Sequence, residues 1–149
     1  MSLNEKLPAF KNVLIRYVEE GGHLIILSQE AEAWNRSPII DGMMLTASTE
    51  FDERSPVRGD STIQLLNSPN KIGQDAWSNW LFLRCHNVVS GDAVKNATTA
   101  VKLLRKENPV ILLWNIGKGR ITYVDLSLEQ QLLNVHPGAF RLLANLISN

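Results

Sequence analysis

The sequence predicts an α/β domain in which helices cover a sheet, and three observations support this prediction. Near the start, an amphipathic helix pattern, the pair Gly21-Gly22 and the apolar run 23–27 follow one another, as in half of a βαβ unit. In the middle, the segment 98–124 holds three strand patterns joined by tight turns. At the end, Pro137 suits the first turn of a further amphipathic helix. Helices that alternate with buried strands are typical of layered α/β folds.

The first helix is predicted from apolar residues at helical spacing: Phe10, Val13, Leu14, Tyr17 and Val18. A complete βαβ unit would place a strand before this helix, and the sequence has none there. We therefore expect a domain truncated at its N-terminus, a piece of a larger protein, in which residues 1–149 form one domain. The opening Met1-Ser2-Leu3 is compatible with a cloning leader.

The middle of the chain predicts mixed elements. Residues 46–60 are polar and predict a surface loop, while the spacing of Trp77, Trp80 and Leu81 places them on one face of a helix within 72–83. The strands expected at 98–106, 110–114 and 120–124 are joined by short turns, which predicts an antiparallel meander at one edge of the sheet. The glycines of 117–120 are those of a hairpin turn; the alternative, a phosphate cradle, lacks a following helix.

Composition excludes several function classes. Lys plus Arg and Asp plus Glu are both 15, so the chain lacks the basic excess of a nucleic-acid binder or of an anchor to anionic membranes. No apolar run is long enough for a transmembrane helix. A single cysteine allows neither an internal disulfide nor a cysteine-rich zinc site, and the three histidines lack metal-ligand spacing. We expect no cofactor, no metal and a soluble chain, whose compartment follows that of the parent protein.

Three segments carry a family resemblance: YVEEGGHLIILS at 17–28, LLNSPNKIGQDAWSNWLFLR at 65–84, and GKGRITYVDLSLEQQLLNVHPGAFRLLANLIS at 117–148. Together they cover a little under half of the chain. They resemble class I glutamine-amidotransferase-like modules, of the kind attached to bacterial PIG-L type sugar deacetylases and to some glycoside hydrolases. The resemblance implies a flavodoxin-like, three-layer α/β fold, and it does not imply activity.

Active members of this family hold a nucleophile on a sharp turn flanked by glycines, and the matching position here is Ser28. Its neighbours two residues away are Ile26 and Glu30, whose side chains would crowd such a turn. The family's late histidine is followed by a glutamate at the second position, whereas His136 is followed by Pro-Gly. The resemblance therefore implies a module that has lost its reactive machinery.

The remaining candidates for a functional site are few. Cys85 and His86 are adjacent, and adjacent side chains point in different directions, which favours a structural thiol. Catalysis would have to use Ser28 or Cys85 with His86 or His136. Trp34 lies in a polar run and is the tryptophan most suited to an exposed ring that stacks on a sugar.

These observations predict a non-catalytic accessory or interaction domain of a larger bacterial, carbohydrate-active protein. Two alternatives stay open, a hydrolase or amidase-like enzyme and a small carbohydrate-binding module. The expected partners are other domains of the parent protein or a second copy, with carbohydrate as a further candidate. Because strand 23–27 would leave a sheet edge open, we expect a second copy or a local rearrangement to cover it.

Overall fold

The structure is a computed structural model that describes residues 3–48, 56–81 and 85–149, with side chains described from Phe10 onward. Its helices are α1 (Leu3–Glu19), α2 (Ala31–Arg36), α3 (Asp92–Lys95), α4 (Leu128–Leu133) and α5 (Pro137–Ser148). Its strands are β1 (His23–Leu27), β2 (Met44–Ala47), β3 (Val57–Gly59), β4 (Asn87–Ser90), β5 (Thr98–Leu103), β6 (Asn108–Ile116) and β7 (Gly119–Val124). Short 3₁₀ turns occupy Gln64–Leu66 and Gln74–Trp77.

The main sheet is mixed and has the strand order β1-β7-β6-β5-β3. Strand β1 runs parallel to β7, whereas the other neighbouring pairs are antiparallel. Strands β2 and β4 form a separate antiparallel pair. The chain is therefore an α/β protein, as the sequence predicts, and the predicted meander is present as β5-β6-β7.

The position of that meander is a correction. The three strands lie in the middle of the main sheet, because β3 adds to the outer side of β5 and β1 adds to the outer side of β7. Strand β1 consequently lies at one edge of the main sheet, the edge that the sequence predicts to be open. The expected hairpin turn is confirmed: Gly117 has φ +58°, and a Cβ there would lie 2.6 Å from the carbonyl oxygen of Glu19.

Apolar side chains cover both faces of the main sheet. Under α1 and α2 lies one core cluster, whose members include Val18, Trp34, Leu112, Ile121 and Tyr123. Against α5 lies a second, whose members include Ile111, Leu113, Val124, Leu142 and Leu146. The side chains of successive residues in a strand lie on opposite faces of the sheet, so the continuous apolar run of β6 contributes side chains to both clusters.

The helix predicted over 72–83 is wrong in the described part of that segment. Only Gln74–Trp77 is helical, as a 3₁₀ turn, since Ser78 is extended and Asn79 adopts a positive φ of 57°. Trp77 and Trp80 are buried in the core as their spacing indicates, whereas Leu81 is 45% exposed. Residues 82–83 of this segment, and residues 49–55 of the predicted surface loop, lie outside the described residues.

Within the described ranges, no helix combines the length and apolar character needed to cross a membrane.

Candidate functional site

The best-placed cavity for chemistry lies at the carboxyl end of β1, where ligands bind in many open α/β sheets. It has a volume of about 570 Å³. Its walls come from four parts of the chain: Leu27, Ser28, Gln29, Glu30 and Ala31; Ala47; His86 and Asn87; and Glu129. The structure thus brings two of the sequence-derived candidates, Ser28 and His86, to one cavity, and it adds Glu129.

Ser28 directs its hydroxyl at the main chain. The Oγ donates toward the carbonyl oxygens of Val124 and Leu126, at 3.4 and 3.3 Å. Among described residues other than glycine, positive φ is confined to Asn79, Glu107 and Val135, so Ser28 lacks the strained backbone of a nucleophile elbow. It acts as a strand-end serine that ties the end of β1 to the segment after β7.

Glu30, the residue that follows two positions later, caps α2. Its carboxylate oxygens accept hydrogen bonds from the backbone N–H groups of Ala33 at 2.7 Å and Glu32 at 3.0 Å. The hydrogen bond from Ala33 is the main reason that the pKa of Glu30 lies below its usual value. This carboxylate therefore serves the helix terminus and is not aimed at Ser28.

His86 contacts two groups through a single ring nitrogen. Its Nε2 lies 3.2 Å from Glu129 Oε1 and 3.3 Å from Ser127 Oγ. In a serine-histidine-acid triad the hydroxyl and the acid use different ring nitrogens, so that the base can accept a proton from one side while the other is held. Here the Glu129 carboxylate and the Ser127 hydroxyl share the same nitrogen, and the Ser28 hydroxyl is directed at main-chain carbonyl oxygens instead. The arrangement is a hydrogen-bonded contact between two residues of the cavity wall rather than a proton relay.

The most deeply buried polar group beside this cavity is Asp125, which follows β7 and is 0% exposed. Its Oδ2 accepts from the backbone N–H groups of His86 at 3.1 Å and Asn87 at 2.6 Å. Its Oδ1 accepts from the Asn87 amide at 2.9 Å and from the Tyr123 hydroxyl at 2.8 Å. All four neighbours are donors, which fits a carboxylate anion, and together they hold the start of β4 against the end of β7.

Electrostatics at this cluster follow from burial. Burial raises the pKa of Asp125, and the hydrogen bonds from Asn87 and Tyr123 oppose that rise. Burial, and then the negative charge of Asp125, raises the pKa of Tyr123 far above its usual value. This cluster is not among the candidates that the sequence patterns predict. The available signal is an aspartate directly after a predicted strand, a position at which side chains reach the sheet's carboxyl edge.

Cys85 is packed in the core and does not line the cavity. It is 4% exposed, belongs to the core cluster against α5, and its Sγ lies 3.9 Å from Ser48 Oγ. Its neighbour His86 faces the cavity, as expected for adjacent residues that point apart. The two do not form a nucleophile–base pair, because the thiol is enclosed by apolar side chains.

His136 caps a helix instead of serving the cavity. Its Nδ1 accepts from the N–H groups of Gly138 and Ala139 at 3.1 and 3.4 Å, at the start of α5. Its Nε2 lies 2.7 Å from the carbonyl oxygen of Ser78. A ring that accepts at Nδ1 and donates at Nε2 is the neutral imidazole with its proton on Nε2.

Trp34 is not the exposed ring that its polar surroundings in the sequence indicate. It is 2% exposed, its indole N–H donates to the carbonyl oxygen of Met43 at 3.0 Å, and its ring centroid lies 5.9 Å from that of Tyr123. Glu32 and Arg36 of α2 are exposed, whereas the indole packs beside Tyr123 of the sheet. The ring is therefore unable to serve as a platform for a sugar. In the described residues, no cluster of three or more histidine, cysteine or acidic side chains is placed to hold a metal ion.

No family profile and no curated protein sequence matches the chain. Solved structures do resemble it. One is the cytoplasmic protein STM1381 from Salmonella typhimurium LT2, with a TM-score of 0.61 and 12% identity over 95% of this chain and 60% of that one. Another is the exo-beta-1,4-mannosidase Op5Man5 from an Opitutaceae bacterium, with a TM-score of 0.51 and 15% identity over 90% of this chain and 22% of that one.

A third similar structure is the beta-galactosidase from Bacillus circulans sp. alkalophilus, with a TM-score of 0.51 and 16% identity over 93% of this chain. The chain spans 20% of that galactosidase, 22% of the mannosidase and 60% of the Salmonella protein. Likenesses at this level of identity establish a shared fold and carry no activity with them.

Proposed function

We propose that this chain is a non-catalytic interaction domain of a larger bacterial, carbohydrate-active protein, with a flavodoxin-like, glutamine-amidotransferase-like fold. The observation that carries the proposal is the state of Ser28. Its hydroxyl donates to two main-chain carbonyl oxygens, and its backbone lacks the strain of a nucleophile elbow. A serine used in this way stabilises the end of a strand, because its hydroxyl donates to main-chain carbonyl oxygens rather than to a base that would activate it.

Two further observations support the proposal. The only imidazole at the described cavity wall is that of His86, and its Nε2 is engaged by Glu129. The similar parts of the mannosidase and the galactosidase make up about a fifth of each enzyme, the size of an added domain. Helices on both faces of the sheet and the parallel β1-β7 pair are compatible with a flavodoxin-like arrangement.

The catalytic half of this proposal is tested with nucleophile-directed chemistry. The purified chain is treated with a fluorophosphonate probe, and its hydrolysis of p-nitrophenyl acetate and of glutamine is compared with that of Ser28→Ala and of Ser90→Ala. Ser90 is an exposed serine on β4, away from the cavity, and serves as the matched control. We expect no labelling at Ser28 and the same background rate for all three proteins. Turnover that is lost in Ser28→Ala and kept in Ser90→Ala would contradict the proposal.

The interaction half is tested in the intact parent protein. Deleting this domain is expected to change assembly or thermal stability while the catalytic module keeps its kcat on a small soluble substrate. A loss of kcat with unchanged assembly and unchanged folding of the remaining module would assign the domain a direct part in catalysis, and the proposal would then be wrong.

A second candidate function is a hydrolase that uses Ser28 with His86, because both residues line the same cavity. It requires the Ser28 hydroxyl to turn away from the carbonyl oxygens and His86 Nε2 to leave Glu129. Glu129→Gln removes the competing charge and keeps the shape of the side chain. A rate increase in Glu129→Gln that also depends on Ser28 would favour this candidate over the first.

A further inference from the structure

Strand β1 presents an unpaired edge. Its inner side pairs with β7, where the Arg120 N–H donates to the Gly22 carbonyl at 3.0 Å. Backbone groups alternate in direction along a strand, so those of residues 23, 25 and 27 point away from the sheet. Two contacts agree with this direction: the Tyr17 hydroxyl lies 3.5 Å from the His23 carbonyl, and the Gln29 amide lies 2.8 Å from the Leu27 carbonyl. In the described parts of the chain, no strand pairs with this outer side.

Helix α1 overhangs that edge with an apolar stripe. Phe10, Val13 and Tyr17 are 53%, 62% and 51% exposed. The opposite flank of the helix faces inward across the sheet, because Lys11 binds Asp41 there. The Tyr17 ring lies against the backbone at the start of β1, where a Cβ on Gly22 would lie 2.3 Å from it. The stripe therefore stands above the open side of β1.

Helix α5 provides a matching stripe on the other face of the sheet. Phe140 and Ile147 are 46% and 69% exposed. The opposite flank of α5 is engaged with the core side, where Arg141 binds Asp75 and Asn145 binds Asn70. The end of the helix reaches the start of β1, since Asn149 lines a small cavity together with His23. The two stripes thus flank the same strand edge.

We name this flank the edge surface and define it by its members: Phe10, Val13, Tyr17, Leu27, Phe140, Ile147 and the outer backbone of β1. It holds six of the eleven large apolar side chains that are exposed among the described residues. Half-exposed aromatic rings of about 200 Å² and aliphatic side chains offer on the order of 600 Å² together. With the strand backbone, this approaches the roughly 800 Å² that each partner contributes to a stable interface.

We propose that the edge surface binds a second copy of this chain through an antiparallel β1–β1 pairing around a two-fold axis at Ile25. In this register Ile25 faces the same residue of the second copy, and His23 faces Leu27. Every outward N–H then meets an outward carbonyl, so the two main sheets join into one. The same axis places each α1 stripe beside its counterpart and each α5 stripe beside its own.

A second copy fits this surface better than an unrelated chain because the surface is self-complementary. An isologous contact brings each patch against itself, which is favourable for apolar patches and unfavourable for patches of one charge. The members of the edge surface carry no acidic or basic side chain, and the whole chain has zero net charge. Self-association is therefore not opposed by electrostatic repulsion. The inference deepens the proposed function by naming its partner, and it rests on that function only for its biological purpose.

The test is sedimentation equilibrium of the full chain across micromolar concentrations. We expect a monomer–dimer equilibrium whose dissociation constant rises at least about tenfold in Val13→Glu and in Ile147→Glu. Met44→Glu is the matched control, because Met44 is 57% exposed on β2, which is not part of the main sheet. It should leave the constant unchanged. Glutamate forms helices well, so Val13→Glu should keep the wild-type circular dichroism spectrum.

Hydrogen exchange distinguishes strand pairing from simple helix contact. The Ile25 amide should exchange more slowly as the wild-type concentration rises, and Val13→Glu should abolish that dependence. A chain that stays monomeric throughout, or a dimer broken by Met44→Glu and not by Val13→Glu, would overturn the inference. If the chain is monomeric and Ser28 is unreactive, the β1–β1 dimer is wrong and the proposed function is retained. If the chain is dimeric and Ser28 is reactive, the dimer is retained and the proposed function is wrong.

Discussion

Replacing Asp125 with alanine tests how the candidate site is held together. The substitution removes the acceptor for the Tyr123 hydroxyl and for the Asn87 backbone N–H. It also removes one of the two acceptors of the Asn87 side-chain amide, which keeps its hydrogen bond to the Gln29 carbonyl at 2.9 Å. The His86 N–H keeps a partner, because it also lies 3.3 Å from the Asp125 main-chain carbonyl. Each orphaned buried donor costs about 1–3 kcal/mol. Relief from the cost of burying a charge offsets part of this loss.

We therefore expect Asp125→Ala to lower the free energy of unfolding by about 3–4 kcal/mol, which corresponds to a fall in Tm of about 10 °C for a domain of this size. Urea unfolding followed by circular dichroism measures the free energy, and thermal unfolding measures Tm. The control is Tyr123→Phe, which removes one hydroxyl. The double variant should show a coupling energy above about 0.5 kcal/mol, because both changes remove the same hydrogen bond.

The pH dependence supplies an independent check with a definite sign. Because burial raises the pKa of Asp125, the folded chain holds its proton to higher pH than the unfolded chain does. The Asp125 contribution to stability is then full below the unfolded pKa of about 3.9 and falls as the pH rises toward the folded pKa. Asp125→Ala should lack this fall. A loss below about 1 kcal/mol in Asp125→Ala, together with additive effects in the cycle, would show that Asp125 does not hold β4 against β7.

Three further predictions concern other parts of the fold. Burial and Asp125 raise the pKa of Tyr123, so stability should fall as the pH rises above about 10, and Tyr123→Phe should flatten that fall in urea titrations. Burial, assisted by Arg120, lowers the pKa of His23, so stability should fall as the pH drops below about 6.5; an equally steep fall in His23→Gln would contradict this. Gly138→Ala should destabilise by about 2 kcal/mol or more, despite alanine's helix propensity, because its Cβ would lie 2.1 Å from the Ala76 carbonyl oxygen; unchanged thermal unfolding would count against it.

Much of the secondary structure could be predicted because it depends on local patterns. The amphipathic stripe of α1, the glycine pair before β1 and Pro137 at the start of α5 are signals that lie within a few residues of the elements they define. The meander could also be predicted, because consecutive strands joined by short turns usually pair with each other. The prediction for 72–83 failed because aromatic spacing alone does not reveal the extended Ser78 that ends the helical turn.

Only part of the candidate site could be predicted from the sequence. The sequence indicates Ser28 and His86 as candidates, but their shared cavity depends on β4 lying beside the end of β7, a contact between residues that are far apart in the chain. Trp34 was expected on the surface because its neighbours are polar. Burial of a helical residue depends on the face it occupies, and the short α2 gives too few turns for a periodic pattern to show that face.

Local sequence patterns suffice to predict the class of the fold, its buried strands and the lack of a glycine-flanked elbow at Ser28, because backbone preferences and hydrophobic periodicity act over short distances. The central position of the meander and the four donor groups around Asp125 become visible only in the tertiary structure. Strand order and buried polar contacts are settled by packing between distant segments, where the hydrophobic effect and the need to pair every buried polar group act on the whole chain at once.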